Sequence, residues 1–144
     1  MENDRQKLVF DIKQDPYNYA MRTVFTRWKP FILHAMDWDE GTHFSRFCRQ
    51  MPITQKVLTE NLRQLEEDGF VTRTVVPTSP PQVTYSLTEA GKEVIPLLDA
   101  VYEWAWKQMK EKGLPIDALG EMWHGFRERD PDLMEAPYKT THHK

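Results

Sequence analysis

Apolar residues recur along this chain at helical spacing, except in two short segments near its middle. From Tyr17 to Trp38 the repeat is Met21, Val24, Phe25, Trp28, Phe31, Ile32, Ala35 and Met36, which predicts helix. Pro30 interrupts that stretch. It predicts two helices meeting near Trp28–Pro30, with Pro30 in the first turn of the second. Asp37 to Gly41 reads as a turn. Thr42 is placed to cap a helix from His43 to about Gln50, with Phe44, Phe47 and Cys48 on one face. Met51-Pro52-Ile53 is a second turn, and Thr54 is a good cap for the helix after it. In that helix Leu58, Leu62 and Leu65 share one side. Lys56, Thr59, Glu60, Arg63 and Glu67 share the other, and Gly69 supplies a left-handed end.

The two exceptions follow. Phe70 to Val76 is rich in β-branched residues, and Gln82 to Leu87 alternates, with Val83, Tyr85 and Leu87 on one side. Pro77-Thr78-Ser79-Pro80-Pro81 between them is too long for a tight turn and reads as a projecting loop. Thr88 caps a last long helix. Gly91 in its first turn permits close backbone approach, and Pro96 is a candidate kink. That helix carries Val94, Leu97, Leu98, Val101, Trp104 and Ala105 and ends near Gly113. A further amphipathic segment runs from Ile116 to about Arg129, and the tail from Asp130 is polar and expected to be disordered. Helix, turn, helix, strand, loop and strand in this order build a winged helix-turn-helix, mainly α with a small β-wing (α+β). The predicted division is an N-terminal arm over residues 1–15, the winged domain over 16–112, and a C-terminal extension over 113–144.

Composition changes this picture little. The chain has 144 residues, 40% of them hydrophobic and 28% charged, which suits one globular domain. No apolar run reaches membrane-spanning length, the first residues lack signal-peptide character, and a single cysteine supports no disulfide framework. The expected location is the cytoplasm. The net charge of −3 argues against nucleic acid until the charge is mapped. Phe44 to Gln64 holds Arg46, Arg49, Lys56 and Arg63 against Glu60 alone, a local balance of +3. Acid concentrates instead at Asp37–Glu40 and Glu66–Asp68. A basic patch on an acidic body is compatible with binding double-stranded DNA.

The candidate contacts are therefore Thr54, Gln55, Lys56, Thr59 and Arg63. Gln55 suits an adenine edge. Thr54, Lys56 and Thr59 suit phosphate, and Arg63 suits either. Arg46 and Arg49 rank second, and Arg73 at the wing base and Gln82 beyond its tip rank third. Cys48, the sole thiol, is a small core residue on the plain reading and a redox sensor on the sharper one. The tryptophans at 28, 104, 106 and 123, with Tyr102, suit an interface better than an effector pocket. His34, His43, His124, His142 and His143 show no metal-ligand spacing, and no metal or cofactor is expected. No phosphate loop, nucleophile motif or carboxylate pair on an apolar face supports an enzyme. The rival to DNA binding is a protein-interaction module on the same fold, because Glu60 and Glu67 share the exposed helix face.

From Trp28 to about Trp104 the chain resembles the HxlR family of bacterial winged-helix regulators, relatives of the MarR type. The likeness rests on Arg27-Trp28, His43 to Phe47, Met51-Pro52, Thr54 to Thr59 and Leu62 to Glu66. It continues through Asp68 to Arg73, Val83 to Gly91, Pro96 and Glu103-Trp104. The resemblance implies a homodimeric DNA-binding regulator whose terminal helices join the subunits, here through Met21, Val24, Phe25, Leu98, Val101 and Trp104. A two-fold dimer implies a palindromic operator with half-sites about 34 Å apart or a multiple of that. The signal implied is a small-molecule effector or a redox change. Three departures stand out. Phe25-Thr26 replace the small pair usual before Arg-Trp, and Ile53 replaces a common glycine. Asp15 stands before Pro16 where many members carry a redox-active cysteine.

Overall fold

The computed structural model describes residues 8–38, 42–43, 49 and 51–117. A short 3-10 turn at Ile12–Gln14 leads into α1 (Pro16–Thr23) and α2 (Lys29–Trp38). Then come β1 (Thr42–His43), α3 (Gln55–Glu67), β2 (Val71–Val76), β3 (Gln82–Leu87) and α4 (Glu89–Glu111). α2 starts where Pro30 predicts, but α1 ends at Thr23, so the two helices are separated by residues 24–28 and do not meet near Trp28. Proline takes the second position of α2, where no helical N–H bond is lost. Asp15 starts α1: its carboxylate accepts from the Asn18 N–H at 2.9 Å. Asp15, which stands where the family resemblance leads one to expect a thiol, is here a helix cap.

The sheet has the order β1-β3-β2, all antiparallel. β2 and β3 pair in register from Val71 opposite Leu87 to Val76 opposite Gln82. Thr42 and His43 pair with Tyr85 and Thr84. This corrects the expectation that Thr42 caps a helix beginning at His43. The free edge of β3 needs backbone partners, and these two residues supply them. The turn expected from Asp37 is corrected as well, since α2 continues to Trp38. Of the helix expected up to Gln50, Arg49 is helical and exposed. Residues 44–48 and 50, with Arg46 and Cys48, lie outside the described residues.

The core gathers Ile32, Leu33 and Met36 from α2 with Leu58, Leu62 and Leu65 from α3. Phe70, Val71 and Tyr85 close it from the sheet, and Ile95 and Leu98 from α4. The three leucines of α3 are fully buried. Each such side chain stabilises the fold by about 1.5–3 kcal/mol relative to exposure. Two residues expected at a subunit interface are core instead. Val24 is 4% exposed and Leu98 3%. Phe25 also packs against the core. The reason is phase: α4 is apolar on two faces. Ile95 and Leu98 point inward, while Leu97, Val101 and Trp104 form an outer stripe, with Trp104 65% exposed. Tyr17 and Met21 of α1 and the leading Leu8-Val9-Phe10 are exposed as well. Pro96 lies within α4, which continues to Glu111.

Candidate nucleic-acid interface

α3 is held at both ends by local chemistry. At its start the Thr54 hydroxyl accepts from the Val57 N–H at 3.2 Å, and the Leu58 N–H bonds the Thr54 carbonyl at 3.0 Å. At its end Gly69 turns the chain with φ of 84°. A second clasp fixes that end to α4. The Thr88 hydroxyl donates to the Gly69 carbonyl at 2.6 Å and accepts from the Gly91 N–H at 3.1 Å. Gly91 has to be glycine, since a Cβ there would lie 2.2 Å from the Phe70 carbonyl oxygen. The leucine face is thereby pressed onto the core, and the opposite face is presented outward.

That outer face is chemically divided. Thr54, Gln55 and Lys56 are all exposed at the N-terminal end. Among the described residues no carboxylate pairs with Lys56, and the Thr54 hydroxyl proton has no acceptor. The N–H groups of Gln55 and Lys56 precede the first intrahelical bond of α3. An anion at this end meets free donors, a cation and the positive end of the helix dipole.

One turn further the donors are occupied. The Thr59 hydroxyl donates to the Gln55 carbonyl at 2.8 Å, so in this rotamer it offers a phosphate nothing. Arg63 is held from both sides by its own helix. Its Nε donates to Glu60 Oε2 at 3.0 Å and its Nη2 to Glu60 Oε1 at 2.5 Å. Its Nη1 donates to Glu67 Oε1. The bond from Arg63, with a second from Gln64, holds the Glu60 carboxyl below its ordinary range. The same bond raises the guanidinium's affinity for its proton. Arg63 is thus no free cation. Glu60 and Glu67, which in sequence favour the interaction-module reading, are thus partners of Arg63, and their spacing of three and four residues from it is the signal.

On the wing, Arg73 and Gln82 are both exposed. Arg73 sits opposite Tyr85 on β2, and Gln82 sits opposite Val76 at the last rung before the loop. Neither side chain makes an ion pair or hydrogen bond among the described residues. Two polar groups inside the fold were not anticipated. Lys29, at the start of α2, is 2% exposed, and its ammonium lies 3.4 Å from the Arg22 carbonyl. Burial lowers its pKa, against the opposing pull of Asp68 and Glu60. His34 of α2 meets Asp99 of α4 at 2.8 Å with Tyr102 edge-on to its ring, a link between elements far apart in sequence.

Residues 23–113 match the family described as HxlR-like helix-turn-helix. An uncharacterised HTH-type transcriptional regulator of Methanothermobacter thermautotrophicus is 42% identical over 99 residues, covering 65% of this chain and 75% of its own. One from Halalkalibacterium halodurans is 35% identical over 100 residues, covering 69% and 88%. Among solved structures, the redox regulator HypR in its oxidised form has 37% identity and a TM-score of 0.60, over 65% of this chain and 96% of that one.

Proposed function

The chain belongs to the HxlR-like helix-turn-helix family of transcriptional regulators, and on that premise we propose that it binds a palindromic DNA operator as a homodimer. The observation that carries the reading is the N-terminal end of α3, where Thr54, Gln55 and Lys56 are exposed and no acid among the described residues pairs with them. Lys56, the Thr54 hydroxyl and the first N–H groups of α3 hold phosphate, and Gln55 reads a base edge, adenine by preference. Arg49, Arg73 and Gln82 serve the flanking backbone. The second subunit docks on the outer stripe of α4 with α1, through Met21, Val101 and Trp104, which supplies the two-fold symmetry a palindrome needs.

The controlling signal is a small molecule or a redox change. HypR, to which this chain is similar in structure, is a redox regulator. In this chain a thiol-based signal has one entry, Cys48. If Cys48→Ser leaves the response of DNA binding to diamide intact, that route is excluded. No helix among the described residues is long and apolar enough to cross a membrane.

The rival reading, a protein-interaction module, draws on the acidic far end of α3. Competition between a duplex selected from a random-sequence pool and an unselected duplex of equal length, at two salt concentrations, separates the two. Operator binding predicts that the selected duplex keeps a preference of at least roughly a thousandfold. Equal and vanishing retention of both duplexes supports the interaction module. Trp104→Glu tests the dimer: sedimentation should show a monomer with weakened operator binding, and an unchanged dimer refutes this docking face.

A further inference from the structure

Arg63 has two possible targets on DNA, and its surroundings choose between them. Glu60 occupies the side edge of the guanidinium through Nε and Nη2, and Glu67 takes a donor on Nη1. One N–H remains on each terminal nitrogen. The Nη2 hydrogen left over lies on the end-on edge, the edge from which an arginine meets guanine O6 and N7. The charge points the same way. Two carboxylates around one guanidinium leave the cluster net negative, which repels a phosphate and leaves a neutral base edge acceptable. The three side chains are half exposed or more, on the face that a duplex lying along α3 would meet.

We propose that Glu60 and Glu67 are positioning residues that hold Arg63 off the DNA backbone and commit it to the O6/N7 edge of one guanine per half-site. The proposal rests on the DNA-binding reading. It adds a division of labour along α3: the N-terminal end grips the backbone and reads one base through Gln55, and the Arg63 cluster reads a guanine. A free arginine on the same face would bind any phosphate in reach and raise affinity for all DNA alike. The carboxylates exchange that general affinity for discrimination.

The test uses the duplex selected by the wild-type full chain, with each guanine replaced in turn by 7-deazaguanine, which lacks the N7 acceptor. One replacement per half-site should weaken wild-type binding roughly tenfold, and R63A should be indifferent to that same replacement. R63A should leave the slope of log affinity against log salt unchanged. In the double variant E60Q/E67Q the freed arginine should reach a phosphate and steepen the slope by about 0.9, while preference for the selected duplex falls. In the R63A background the same two changes should leave the slope where it was, which separates the clamp from a bulk charge effect. A slope lowered by about 0.9 in R63A would assign Arg63 to phosphate and overturn the proposal. So would equal sensitivity of wild type and R63A to every guanine replacement. A wild-type chain that selects no sequence at all overturns the reading beneath it, a different failure with a different signature.

Discussion

The two ends of α3 share one helix and one exposed face yet offer opposite chemistry. At the N-terminal end a hydroxyl proton, an ammonium and two backbone N–H groups have no partner among the described residues. At the C-terminal end the arginine is claimed by Glu60 and Glu67, and Glu66 and Asp68 add further acid. Counting charge along the sequence credits Lys56 and Arg63 equally. The structure shows that they are not equivalent, because a cation's availability depends on its partners at three and four residues' distance. A chain of negative net charge can therefore carry a phosphate-binding end, provided its acids are spent on one another's cations elsewhere.

The comparison can be broken outright by removing the base both ends share. Leu62→Ala empties a fully buried position beneath the middle of α3. It should cost about 2–5 kcal/mol in urea unfolding and weaken contacts of both ends together. Loss of one end alone would mean that the ends are not seated as one helix. Thr54→Ala acts on the N-terminal end only. It should cost about 1 kcal/mol of stability and weaken DNA binding, and Thr54→Ser should restore both. A serine variant that fails to recover would place Thr54's role in its methyl group, not its hydroxyl. Lys56→Ala should leave stability unchanged and weaken selected and unselected duplexes alike, lowering the salt slope by about 0.9. An unaltered slope would remove Lys56 from the backbone contacts.

The smallest effect concerns pH. The Glu60 carboxyl is held below its ordinary range by the bond from Arg63, so the cluster is intact above the unfolded value and opens only as pH falls through the lowered one. Preference for the selected duplex should stay flat from neutrality down to about pH 5. A fall in preference within that window would mean that Glu60 does not hold Arg63 as an ion.

Much of the frame was readable because its signals are local. Thr54, Gly69 and Thr88 are caps whose capping bonds lie within one turn, and the structure uses each of them so, although the clasp from Thr88 to Gly69 is long-range. Gly91 was readable as a close approach, although its neighbour, the Phe70 carbonyl, was not. What failed depends on distance. Thr42 and His43 become a strand only because β3 offers an open edge some forty residues later. Val24 and Leu98 look like Met21 and Val101 in a periodic pattern, and only packing tells an inner stripe from an outer one. The His34–Asp99 link and the burial of Lys29 have no sequence period at all. The Arg63 clamp is the opposite case. Its partners were in plain view on the same face, and summing charges hid it.

On the proposed reading DNA meets the N-terminal end of α3 through donors that have no partner among the described residues. Backbone amide resonances followed during titration with the selected duplex test it most directly. The Gln55 and Lys56 amides should then shift strongly while those of Glu66 and Asp68 stay nearly still. Large shifts confined to Glu66–Asp68, with Gln55 and Lys56 unmoved, would contradict it.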